Sequence, residues 1–205
     1  MRVISVGEYS FGANCYAVIS DDLHAFVVDP TLSVAAILSA IAAEGAVLDG
    51  IILTHGHFDH VVSLDTLRDT TGIPAYIHED DAELLTDSKK NAFAIFFGKE
   101  RVWRAAEHTL SDGDLIPLGN EYIKVIHTPG HTQGSVCYLC GDTLITGDTL
   151  FADNVGRTDL YSGSSALLAE SLKRLRTLDK ALKVCAGHGP DGILGEALDN
   201  SAYFF

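Results

Sequence analysis

Five short apolar runs in this chain each stop at an aspartate or a histidine, usually with glycine alongside. They are FVVD at Asp29, IILTH at His55, KVIHTPGH at His131, TLITGD at Asp148 and VCAGH at His188. No other feature limits the fold as tightly. A buried strand that ends on a polar group delivers it to a loop held by a rigid scaffold, where folds collect functional side chains. One such ending is an ordinary turn, whereas five point to a shared pocket. Glycines at 56, 130, 147, 187 and 189 let the backbone turn sharply there and bring the side chains together.

The runs themselves read as strands rich in Val, Ile and Tyr: Arg2 to Val6, Cys15 to Ile19, Ala25 to Val28, Gly50 to Leu53, Ala75 to Ile77, Tyr122 to Ile126, Val136 to Leu139, Thr143 to Ile145 and Lys183 to Cys185. Val34, Ile37, Leu38 and Ile41 repeat at helical spacing, as do Leu168, Leu172 and Leu175, with Lys173, Arg174 and Arg176 near that helix's end. Shorter helices are predicted over Ser63 to Thr70 and Asp80 to Thr86. Many strands and few helices in mixed order predict sheets packed on each other with helices outside. No Gly/Ser-rich or Pro-rich linker divides the 205 residues, so one compact domain over 1–205 is expected.

The segment Thr54-His55-Gly56-His57-Phe58-Asp59-His60 packs three imidazoles and a carboxylate into six positions. On an extended segment residues two apart point the same way, so His55 and His57 can share one metal. On a helix they would diverge by about 200°, which places them on a loop after the 51–53 run. As the chain turns, Asp59 and His60 can serve a second ion, roughly 3.5 to 4 Å from the first in sites of this kind. Five of the nine histidines belong to this set; His24, His78, His108 and His127 lack such company and read as surface or supporting residues.

In order along the chain, THGHFDH, TPGHTQGS, GDTLF and GHGP closely resemble the motifs of the metallo-β-lactamase superfamily. The resemblance implies an α/β (α+β) fold, a four-layer αββα sandwich with its metal site at one edge of two facing sheets. It also implies that His55, His57 and His131 bind a first metal and Asp59, His60 and His188 a second, with Asp148 bridging. A complete set without cysteine looks like the glyoxalase II branch. The stretch from Leu150 to Asp159 is similar to the LF…GRTD element of its short, single-domain hydrolases, and NAFAIFFG at 91–98 to a segment of the same group. Hydroxyacylglutathione hydrolases carry a further C-terminal helical domain with basic glutathione contacts, and this sequence ends at Phe205.

Nitrogen and oxygen donors suit Zn, with Fe or Mn as alternatives. Two divalent cations flanking a water would make hydroxide available at neutral pH. The expected function is therefore metal-dependent hydrolysis, with a thioester as substrate and Asp59 able to deliver a proton to a poor leaving group. The rival is a persulfide dioxygenase-like oxidoreductase using one iron, because that family shares the fold and the ligand types. Asp29 either holds a ligand imidazole or turns the chain before Pro30.

Asp and Glu number 28 against 14 Lys and Arg, a formal charge of −14, which argues against nucleic-acid binding. No secretory leader and no membrane-length apolar run is present, and the four cysteines are expected as reduced thiols in a cytoplasmic protein. A small-molecule partner follows, an anionic thioester if the basic residues of 89–104 receive it, though a solvated face is the plainer reading of them. Phe93, Phe96, Phe97 and Trp103 read as a small core under a loop or as pocket wall, and Arg157 with Asp159 as substrate contacts or, the plainer reading, as a structural ion pair or turn. Cys137 and Cys140 fall on opposite faces of a strand, which excludes a paired thiol motif.

Overall fold

The structure, a computed structural model, describes residues 1–8 and 12–202. The first half of the chain builds one six-stranded sheet, with β1 (Arg2–Glu8), β2 (Asn14–Ile19), β3 (His24–Val28), β4 (Val47–Ile52), β5 (Ala75–His78) and β6 (His108–Leu110) side by side in sequence order. The second half builds another from β7 (Leu115–Leu118), β8 (Glu121–His127), β9 (Val136–Cys140), β10 (Thr143–Gly147), β11 (Lys183–Ala186) and β12 (Gly192–Ile193), again in sequence order. Parallel pairs β3–β4, β4–β5 and β10–β11 are joined by helical crossovers through α1 (Val34–Ala43), α2 (Leu64–Thr71) and α5 (Ser165–Leu175).

Alternation along the strands divides the interior into three cores. On β2, Cys15, Ala17 and Ile19 face α1 and α2, while Tyr16 and Val18 face the other sheet. On β9, Val136, Tyr138 and Cys140 point between the sheets and Cys137 points out under α5 and α6 (Leu194–Asn200). Both faces are covered, so these strands read as unbroken apolar runs. The predicted four-layer arrangement is the one observed. Cys137 and Cys140 sit in different cores, and all four thiols are free and buried.

Several bounds differ from the sequence-based expectation. β4 begins at Val47, three residues early, because its edge-exposed start carries Asp49 and breaks the apolar run. The helix predicted over Ser63 to Thr70 is α2, with Ser63 as its cap and Gly72 closing it in a left-handed conformation. The one predicted over Asp80 to Thr86 is a 3₁₀ turn over Glu79–Asp81 followed by α3 (Ala82–Thr86). Strands β6, β7 and β12 and helices α4 (Phe93–Phe97) and α6 were not foreseen. No helix among the described residues is long and apolar enough to cross a membrane.

Candidate metal centre

Each of the five runs does end at one edge of the sandwich. Asp29 follows β3, the 54–60 segment follows β4, His131 follows β8, Asp148 follows β10 and His188 follows β11. The loops are tied across the two sheets, with Val136 N–H donating to the Thr54 carbonyl at 2.9 Å and Asn14 N–H to the Gly187 carbonyl at 2.8 Å. Two glycines are required by this packing. Gly147 takes φ +48° just before Asp148, and a β-carbon on Gly187 would collide with the Asp148 carboxylate and the His60 ring.

The structure brings all seven predicted residues together. Ligand-type atoms of His55, His57 and His131 lie within 4.8 Å of one another, as do those of Asp59, His60 and His188, and those of His55, His60 and Asp148. Asp148 stands between the groups: Oδ1 is 3.4 Å from His60 Nε2, and Oδ2 is 3.5 Å from both His131 Nε2 and His188 Nε2. Asp59 Oδ2 is 3.4 Å from His188 Nε2.

Supporting contacts fix which nitrogen each ring presents. Thr54 Oγ1 donates its one proton to Asp29 Oδ2 at 2.6 Å, so it accepts from His55 Nδ1–H at 3.1 Å. His60 Nδ1–H donates to the same Asp29 oxygen at 2.8 Å. His131 Nδ1–H donates to the Arg157 carbonyl at 2.7 Å. In all three rings Nε2 is the nitrogen turned toward the cluster, 2.8 Å from His57 Nδ1 in His131 and 3.3 Å from His188 Nε2 in His60. Asp29 holds the His60 imidazole and also turns the chain, with φ +50°.

The donor set fits divalent cations. His55 Nε2, His57 Nε2 and Asp148 Oδ1 are buried without a hydrogen-bond partner, a state that is rare unless something else satisfies the atom. Burial and neighbouring imidazoles hold His55 well below its usual range and His57 down at about 3, so both rings are in the neutral form a metal needs. Burial alone would raise Asp148, but the His60 imidazole, itself pushed toward its charged form by Asp148, Asp59 and Asp29, outweighs it and keeps the carboxylate ionised.

One supporting residue was not anticipated. Asp81, fully buried at the start of α3, accepts from Gly56 N–H at 2.9 Å, Gly134 N–H at 2.8 Å and Thr132 Oγ1 at 2.7 Å. It therefore clamps the loop between His55 and His57 to the loop after His131. In sequence it sits in an acidic EDD run that reads as surface, and only Gly56 and Gly134, both forced close to it, carry a trace of the contact. Of the four other histidines, His24 pairs with Asp49, His108 stacks on Tyr76, and His78 stacks on His127 at 4.0 Å with Asp80 nearby. His127 Nε2–H donates to the Gln133 carbonyl and so braces the His131 loop.

Above the seven residues opens a cavity of about 340 Å³ walled by Phe58, Ala92, Phe96, Phe97, Leu160 and Arg157. The aromatic segment divides between both predicted roles. Phe93 and Trp103 pack into the core beneath, and Phe96 and Phe97 face the cavity. Arg157 makes the predicted pair with Asp159, through two hydrogen bonds of 2.7 and 2.8 Å.

Comparison with known proteins agrees with this geometry. Residues 10–188 match the metallo-β-lactamase superfamily. The chain is 36% identical to "Probable metallo-hydrolase YqgX" of Bacillus subtilis, over 87% of this chain and 86% of that one. It is 30% identical to a hydroxyacylglutathione hydrolase of Hydrogenovibrio crunogenus, over 82% of this chain but 55% of that one. Among solved structures, the BLEG-1 B3 metallo-β-lactamase superposes with a TM-score of 0.92 at 31% identity, covering 99% of each chain. TTHA1623 in a di-iron-bound form superposes with a TM-score of 0.83 at 28% identity, covering 99% of this chain and 100% of that one. By motif order, by fold and by the convergence of its histidines and aspartates, the chain belongs to the metallo-β-lactamase superfamily.

Proposed function

We propose that this protein is a thioester hydrolase with two divalent cations, the first held by His55, His57 and His131, the second by Asp59, His60 and His188, and Asp148 between them. The observation that carries the reading is the convergence of seven donors, His57, Asp59, His131, Asp148 and His188 among them lining one open cavity and His55 and His60 lying just behind. A pair of such cations supplies a hydroxide near neutral pH and polarises a carbonyl. The chain's own residues do the rest. Asp29, Thr54 and the Arg157 carbonyl hold the imidazoles in their ligating form. Asp59, part-buried and lining the cavity, is placed to hand a proton to a poor leaving group; a thiolate departs without that help.

The hydroxyacylglutathione hydrolase among the relatives supports a thioester, and the di-iron neighbour supports two metals, with Zn proposed and Fe or Mn as alternatives. Four buried free cysteines accord with a reducing, cytoplasmic setting. The test is metal quantification on native protein, with turnover of a thioester and of a chromogenic β-lactam before and after chelation. Two metals per chain, chelator-sensitive thioester cleavage and little β-lactam cleavage are expected. One iron per chain with oxygen uptake on a persulfide, or β-lactam cleavage exceeding that of every thioester, would overturn it.

A further inference from the structure

The wall of the cavity is fixed to its floor. Phe58 lies between His57 and Asp59, and its N–H donates to the Asn91 carbonyl at 3.0 Å. Asn91, fully buried, accepts from Phe93 N–H at 2.9 Å and donates to the Arg101 carbonyl at 3.1 Å, which seats α4. The Phe58 ring is then 5.6 Å from Phe96 and 5.4 Å from Phe97. α4 buries none of its residues, and Ile95, Phe96 and Phe97 are 60, 53 and 41% exposed. Of these three exposed apolar side chains Phe96 and Phe97 line the cavity, the arrangement of a surface that a ligand covers.

Charge in the wall is spent. Arg157 is the one cation among the lining residues, its fork is filled by Asp159, and its guanidinium lies 5.9 Å over the Phe96 ring. Of the five basic residues of 89–104, three face other partners: Lys90 pairs with Glu83, Arg104 with Asp65 and Asp69, and Arg101 donates to the Val62 carbonyl and stacks on Trp103. None of them lines the cavity. The cavity, about 340 Å³ and open on one side, has room beside the reacting carbonyl for a short acyl chain or a single ring.

We infer that the site selects neutral, apolar acyl groups of about six carbons or one aromatic ring, carried on an uncharged thiol, and discriminates against anionic substrates, glutathione thioesters included. The inference rests on the thioester reading above for the reacting group, while the selectivity belongs to Phe58, Phe96, Phe97 and Leu160.

The experiment uses metal-loaded full-length protein and two series. In the first, kcat/KM is measured for N-acetylcysteamine thioesters of acetyl, butanoyl, hexanoyl, phenylacetyl, pentanoyl and succinyl groups, and for S-lactoylglutathione. In the second, Kd is measured for the matching ketone analogues, in which a methylene replaces the thioester sulfur and cleavage is impossible. Expected are gains of about fourfold per added methylene up to hexanoyl, and at least a tenfold deficit for succinyl against pentanoyl. Phe96→Ala is expected to flatten the dependence on acyl length in both series. Turnover in which succinyl or glutathione thioesters equal the neutral apolar ones would overturn this inference and leave the thioesterase reading standing. No turnover of any thioester, with analogues still tightening along the apolar series, would overturn the thioesterase reading alone. A flat analogue series would overturn the inference whatever the turnover.

Discussion

Asp29 and Asp81 are single carboxylates that each organise more than one loop. Asp29 orients His55 through Thr54 and His60 directly. Asp29→Asn should weaken metal binding about 10- to 100-fold, as removal of such supporting acceptors does elsewhere, with a near-native fold; chelator competition measures it. Asp81→Ala leaves two buried N–H groups without an acceptor, while Thr132 Oγ1 keeps Ser135 Oγ at 2.7 Å. At about 1–3 kcal/mol for each unsatisfied buried group, a loss of at least about 2 kcal/mol is expected in urea unfolding. Burial pushes Asp81 up to about 6, against the three donors that pull it down. Because the folded value exceeds the unfolded one, the folded state holds this proton more tightly. The contribution is therefore full below about pH 4 and shrinks as pH rises to about 6. Wild type minus Asp81→Asn stability, followed from pH 4 to 7, should fall with that sign; a flat difference would refute the assignment.

At the scale of elements, helices carry the outer cores. Leu172 of α5 is fully buried against Val184 and Leu198 in the outermost core of the second sheet. Leu172→Ala should cost about 2–5 kcal/mol in thermal unfolding while leaving the metal-to-protein ratio unaltered. The strands of both sheet interiors were legible because their two buried faces print as continuous apolar runs, and α1 and α5 because one stripe repeats over ten or more residues. Strands β6, β7 and β12 were not, being two to four residues long with alternating or exposed positions. α4 escaped notice because a five-residue helix between two left-handed residues, Ala92 and Gly98, has no room for a period. The seven site residues were legible for a chemical reason, since histidines and aspartates at strand ends are costly without a shared purpose. Asp81 was hidden because two of its three partners are backbone N–H groups, which leave no side-chain signature, and the third is a lone threonine hydroxyl.

Across the whole molecule, donors come from both sheets: His55, His57, Asp59 and His60 follow a strand of the first, and His131, Asp148 and His188 follow strands of the second. Cations held there would stabilise the folded state by mass action, by about 4 kcal/mol at free metal a thousandfold above Kd. The unfolding temperature should rise with metal concentration, and a Tm indifferent to metal would contradict the ligand assignment. The division of the chain has another consequence. Among the described residues no strand before 111 sits within the sheet formed by 115–193, so the turn at 111–114 is a natural place to cut. A protein expressed as two pieces severed there would carry four donors on one fragment and three on the other. Reassembly of the pieces could then be read directly as recovered metal stoichiometry, making the centre a reporter of its own halves meeting.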